Sequence, residues 1–199
     1  MEIKTIGLVI LIASVLMGIV MLFSRGSVRL QKPGGGIVPL IYNIVNLFVL
    51  SILTPVIAIV YFKEITVITD IISLKTGDAA VFGYLQVAGM VLYIAGSLLV
   101  YAGRIYLWEN FRLGAVKPDE NNKLVTGGPF RIARHPMYLA VLLMSLGLSL
   151  VLFSWIYFIF FLILIFTILK MIPVEESQLK EVYGRQYEDY CKKVRSIGL

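Results

Sequence analysis

Residues 137–172, "MYLAVLLMSLGLSLVLFSWIYFIFFLILIFTILKMI", run for 36 positions with a single charge, Lys170. One straight helix of that length would extend about 54 Å at 1.5 Å per residue, whereas bilayer hydrocarbon is about 30 Å thick. Two short spans with a turn near Phe153 to Trp155 fit better, although neither Gly nor Pro marks that turn. Whether this stretch crosses once or twice sets which side of the membrane receives the C-terminus.

Charge decides between the two. With two crossings the chain has five spans, approximately 6–24, 37–62, 80–103, 137–153 and 155–172. The 25–36 loop, the 104–136 loop and the segment from Lys170 onward then share one face and carry three, six and six of the 18 Lys and Arg residues. The other face keeps only Lys4, Lys63 and Lys75. With one crossing the split becomes nine against nine, which leaves no positive-inside bias. Five spans put the 104–136 loop and the C-terminus in the cytoplasm and the N-terminus outside it.

Composition agrees. The 199 residues are 59% hydrophobic and 15% charged, with a mean hydropathy of +0.88, against roughly 25% charged in soluble domains. The expectation is one all-α, polytopic integral membrane domain over 1–199. The net charge of +6 follows from topology and calls for no nucleic acid. One cysteine and one histidine exclude an internal disulfide, a four-cysteine zinc site and a paired-imidazole motif, so no metal is expected. Residues 6–24 are too long an apolar core for a cleaved signal and read as a retained span.

Other features are structural. Pro55 should kink the second span by removing a backbone donor. Gly89, Ala95, Gly96 and Ser97 suit close helix packing in lipid. "ITVITDIISL" (65–74) is too short to span, and its Asp70 has no role. "KPGGGIVP" (32–39) is a linker, since no G-K-[ST] follows it. Trp108 and Trp155 are interfacial anchors. Cys191 is an apolar filler with no histidine nearby to activate it.

The polar density lies in "GGPFRIARHPMY" (127–138) and the tail. Gly127 and Gly128 permit close backbone approach, and Pro129 and Pro136 stiffen the loop around His135, the sole histidine. A purely structural account exists: Pro136 opens a helix, His135 sits near its N-cap, and Arg131 and Arg134 snorkel to headgroups. Pro173 reads as a first-turn proline of a separate C-terminal helix. Leu179, Val182, Tyr183, Tyr187, Tyr190, Cys191 and Val194 form one face of it, with Glu175 and Glu176 along the edges. Gly184 in its middle implies either close approach of a partner or a tolerated surface glycine. Five spans bring both segments to the cytoplasmic side, where acids, cations and aromatic faces suit a zwitterionic or cationic ligand.

"LVTGGPFRIARHPMYLA" followed by "EESQLKEVYGRQYEDY" resembles the catalytic half of the isoprenylcysteine carboxyl methyltransferases, within the wider group of membrane phospholipid methyltransferases. The likeness covers about the last 80 residues, roughly 120–195. It implies a bundle of membrane helices that binds S-adenosylmethionine without a Rossmann domain, in a cytoplasmic pocket formed by the 104–138 loop and the C-terminal helix. By position it implies cofactor contacts at Asn122, Lys123, Leu124, Val125, Phe130, His135, Pro136, Tyr138 and Glu175. Glu176, Arg131, Arg134 and Lys170 are the candidate catalytic residues. Where the family carries an arginine about one turn before the paired glutamates, this chain has Met171 beside Lys170, a point charge in place of a bidentate fork.

The expected reaction is methyl transfer to the carboxylate of an S-prenylated cysteine, or of a similar lipophilic prenyl thioether acid, with S-adenosylhomocysteine as the other product. The substrate enters from the bilayer and the cofactor from the cytoplasm. Phospholipid N-methylation, a sterol-type reductase and a non-catalytic membrane scaffold stand as alternatives.

Overall fold

The computed structural model describes residues 2–23, 37–65, 79–107, 118 and 122–197. Residues 24–36 of the first loop and linker, residues 66–74 with Asp70, and Trp108 lie outside that set. Among the described residues the regular elements are all helices: α1 (Ile3–Phe23), α2 (Ile37–Phe48), α3 (Thr54–Phe62), α4 (Ala79–Leu107), α5 (Pro136–Val151), α6 (Trp155–Tyr183) and α7 (Arg185–Lys193), with a short 3₁₀ turn at Gly128–Arg131.

A π-helical turn, Val49–Leu53, joins α2 to α3. It lies just before Pro55, whose ring cannot sit against the carbonyl four residues back. The widened turn lets the backbone N–H and the hydroxyl of Thr54 both reach the Val49 carbonyl, the latter at 2.8 Å. Pro55 is thus absorbed without ending the rod.

Among the described residues, three helices are long and apolar enough to cross a membrane: Pro39–Phe62, Ala80–Leu107 and Trp155–Tyr183. Lys4–Ile19 and Pro136–Val151 are apolar but shorter. The chain is an integral membrane protein whose outward faces carry bare Leu, Ile, Val and Phe, as lipid permits.

α4 packs chiefly on α5, α1 on α3, and α6 on α5 and α2. The α4–α5 contact is a backbone approach: a Cβ on Gly89 would meet the Gly147 carbonyl at 2.8 Å, and one on Gly147 would meet the Tyr93 nitrogen at 2.6 Å. A Cβ on Gly96 would likewise meet the Ala140 carbonyl, at 2.7 Å. Ser97 is buried and bonds back to the Tyr93 carbonyl at 2.8 Å. Ala95 points outward and takes no part.

The long apolar stretch does turn where expected. α5 ends at Val151, Phe153 takes a positive φ of 47°, and α6 starts at Trp155. Two expectations about the tail fail. Pro173 does not begin a new helix; α6 runs straight through it to Tyr183. The single amphipathic tail helix is also absent, because Gly184 adopts φ +50° and reverses the chain into α7. A Cβ on Gly184 would meet nothing within 4 Å, so its conformation, not a close approach, explains the glycine.

Candidate cofactor and substrate site

The loop before α5 is built to expose its own backbone. Gly128 has φ +55°, and a side chain there would land on the ring of Tyr106 near the end of α4. The Phe130 carbonyl accepts a 2.5 Å hydrogen bond from the Tyr190 hydroxyl of α7, which ties the 3₁₀ turn to the tail. His135 then serves as N-cap residue and Pro136 as first helical residue of α5, where proline's missing N–H is no loss.

Four charged groups meet here. Arg134 donates through Nε at 3.1 Å and through Nη2 at 2.5 Å to Oε1 of Glu176. The same oxygen lies 3.2 Å from His135 Nε2 and accepts from the Ser196 hydroxyl at 3.3 Å. His135 Nδ1 lies 3.6 Å from Glu175 Oε2, an ion-pair separation, and that oxygen accepts a 2.7 Å bond from the Tyr138 hydroxyl. Two cations and two carboxylates balance. His135, only 4% exposed, feels two opposed influences. Burial disfavours its charge, but the two carboxylates outweigh that and hold its pKa up at about 9. It is an imidazolium at neutral pH.

Sequence reasoning missed several parts of the site. The segment after α7 docks on the loop through its main chain: Arg134 N–H donates to the Arg195 carbonyl at 2.9 Å and His135 N–H to the Ser196 carbonyl at 2.8 Å. Arg134 Nη1 adds a 2.6 Å bond to the Val194 carbonyl. Backbone pairing of this kind leaves no side-chain signature. Tyr42 of α2 sets its ring edge on Tyr138, with centroids 5.6 Å apart and planes at 86°, while His135 stacks on Tyr138 at 18°. The polar Asn43 and Asn46 beside Tyr42 in an apolar span were the available signal.

Of the residues singled out from sequence, Arg134, His135, Tyr138, Glu175 and Glu176 come together. Phe130 and Pro136 are buried. Leu124 and Val125 are half-buried, Lys123 is exposed, and Asn122 holds a buried Nδ2 with no hydrogen-bond partner among the described residues. Arg131 and Lys170 are exposed and make no ion pair with the cluster; the Lys170 ammonium lies 5.9 Å from the centre of the Phe166 ring. Met171 is fully buried.

Residues 84–186 match the phospholipid methyltransferase family. The chain is 34% identical over 110 residues to protein-S-isoprenylcysteine O-methyltransferase B of Arabidopsis thaliana, covering 54% of this chain and 56% of that protein. It is 29% identical over 121 residues to the probable protein-S-isoprenylcysteine O-methyltransferase of Oryza sativa subsp. indica (58% and 61%). It is 30% identical over 105 residues to the Schizosaccharomyces pombe protein-S-isoprenylcysteine O-methyltransferase (52% and 43%). The match thus spans less than two thirds of each relative. With its matched region covering the loop, α5, α6 and their paired charges, the chain belongs to the phospholipid methyltransferase family.

Proposed function

We propose that the protein transfers a methyl group from S-adenosylmethionine to the carboxylate of an S-prenylated cysteine or a similar lipophilic thioether acid. The observation that carries this is the ion cluster of Arg134, His135, Glu175 and Glu176, held at the edge of a membrane bundle in a chain whose relatives bear the isoprenylcysteine name.

The residues present suit the cofactor. Lys123, Leu124 and Val125 form no backbone–backbone hydrogen bond with another described residue, and Asn122 Nδ2 is a buried donor without a partner. These would take the heteroatoms of adenine. Among the described residues the polar contacts of Glu175 fall on Oε2, which leaves Oε1 for the amino acid ammonium, while His135 and Tyr138 bracket the methionine end. Bound there, S-adenosylmethionine supplies an electrophilic methyl group on a sulfonium.

A carboxylate acceptor has a pKa near 3.5 and is ionised at neutral pH, so no general base is needed. The protein's part is to align acceptor oxygen, methyl and sulfur and to strip water from the oxygen. Of the three candidate catalytic cations Arg131, Arg134 and Lys170, Arg131 and Lys170 remain to orient the acceptor. Arg134, engaged with Glu176, Val194 and Cys191, holds Glu176 and the tail in place. Phospholipid N-methylation, which the family description favours, would require a base to deprotonate an ammonium. Carboxylates already paired with Arg134 and His135 serve that poorly.

We further propose the five-span arrangement, with α1 and α5 as short additional spans and the site and C-terminus cytoplasmic. Cysteine accessibility in sealed vesicles tests it: residue 120 and the C-terminus should label from the same side, and opposite sides would sink it. The chemistry is tested by incubation with methyl-labelled S-adenosylmethionine and either N-acetyl-S-farnesylcysteine or phosphatidylethanolamine. Label in neither, with no S-adenosylhomocysteine binding by calorimetry, would overturn the methyltransferase reading.

A further inference from the structure

The backbone of His135 is fixed from two sides by different parts of the chain. Its carbonyl accepts from the Tyr138 and Leu139 N–H groups at 3.1 and 3.3 Å, inside the first turn of α5. Its own N–H lies outside that turn, as at any N-cap, and donates to the Ser196 carbonyl at 2.8 Å. α5 therefore sets one end of the residue and the tail sets the other. The direction in which the imidazole leaves the main chain depends on both.

Ser196 also reaches the partner of the imidazole. Its hydroxyl donates at 3.3 Å to Glu176 Oε1, the oxygen that lies 3.2 Å from His135 Nε2. One residue thus holds the main chain of the cation and the side chain of its anion. The arm that carries Ser196 is anchored along its length. After the reversal at Gly184, the Tyr190 hydroxyl docks on the Phe130 carbonyl at 2.5 Å. Val194 then leaves α7 extended, at φ −128° and ψ 131°. Its carbonyl accepts from Arg134 Nη1 at 2.6 Å and the next, of Arg195, from the Arg134 N–H at 2.9 Å. Three successive carbonyls, 194 to 196, are therefore spent on residues 134 and 135.

We propose that Ser196 is a positioning residue of the cofactor site, holding the His135 ring between Glu176 and Tyr138 in the orientation that receives the amino acid end of S-adenosylmethionine. It acts through His135 and Glu176 and touches neither cofactor nor methyl acceptor. The inference rests on the methyltransferase reading above. Without the Ser196 hydroxyl, Arg134 still gives Glu176 Oε1 two hydrogen bonds, so the ion pair survives and the direction of the imidazole is what suffers. Direction matters at such a site, where a misplacement of about 1 Å costs up to about a hundredfold in rate.

The single histidine of the chain makes the test direct, because protein carrying isotope-labelled histidine shows only His135 in a nitrogen NMR spectrum. Ser196→Ala should shift the imidazole signals. It should also weaken S-adenosylhomocysteine binding in calorimetry about fivefold, the worth of one hydrogen bond. Methylthioadenosine, which lacks the amino acid end, should bind as it does to the wild type. Ser196→Asp sets a second carboxylate against Glu176; it should lift the tail, move the His135 amide signal and weaken S-adenosylhomocysteine further. Ser196→Thr keeps the hydroxyl and should restore both signals and affinity. His135 signals unchanged in the Ala and Asp variants, or equal weakening of both ligands, would overturn the proposal. Wild-type protein that bound neither ligand would count against the methyltransferase reading instead, and the His135 signals would still decide whether Ser196 positions the ring.

Discussion

Replacing Glu176 by Gln removes one charge from a site where Oε1 serves Arg134 twice, His135 and Ser196. The side chains of Arg134, Glu176 and His135 are 12%, 27% and 3% exposed. Breaking a fully buried pair by neutralising one partner costs about 3–5 kcal/mol. The partial exposure of Glu176 lowers that to about 2–3 kcal/mol, since water screens the remaining cations. For a chain of this length each kcal/mol moves the melting temperature by about 2–4 °C, so Glu176→Gln should lower Tm by about 5–10 °C at pH 7. Circular dichroism melts of purified protein in detergent would measure it. Arg134→Gln alone should cost a similar amount. The double variant should cost clearly less than the sum, with a coupling of about 1–3 kcal/mol. A Tm drop below about 2 °C, or strict additivity, would show that the cluster does not hold the loop to α6.

Three further outcomes follow from the same geometry. His135 has a pKa raised to about 9 in the folded protein against about 6.5 unfolded, so its contribution is complete below pH 6.5 and is lost as pH rises through 9. The loss is about 3 kcal/mol by linkage; Tm should fall between pH 7 and pH 10, and Glu176→Gln should flatten that slope. Glu175→Gln should weaken S-adenosylhomocysteine binding by about tenfold or more in calorimetry, as expected for loss of a charge-assisted contact; unchanged affinity would remove Glu175 from the cofactor site. Tyr42→Leu deletes the ring edge against Tyr138, a contact of about 0.5–1.5 kcal/mol. It should therefore weaken cofactor binding about two- to tenfold, showing that α2, which precedes the matched region, belongs to the site.

The helical class and the turn at Leu152 to Ser154 were legible because apolar length is a strong constraint in a bilayer. The meeting of His135 with Glu175 and Glu176 across some forty residues followed from the same parity argument and from the resemblance. Pro173 misled because an interior proline normally ends a helix. Here the carbonyl it leaves unbonded belongs to Leu169, on the outward side of α6, while α5 and α2 pack along the helix and keep it whole. The docking of residues 194–196 was invisible because it runs through backbone groups, which every sequence has. Gly184 was visible as an anomaly, but sequence alone does not distinguish a positive φ from a close contact.

The most direct test of methyl transfer to a carboxylate is the alkali lability of the product formed on N-acetyl-S-farnesylcysteine from methyl-labelled S-adenosylmethionine. A methyl ester releases its label as methanol in base, whereas an N-methyl group does not. The account predicts label that is recovered with the farnesylcysteine and lost in base, and greatly reduced labelling with His135→Ala. Base-stable label carried instead by phosphatidylethanolamine would contradict it.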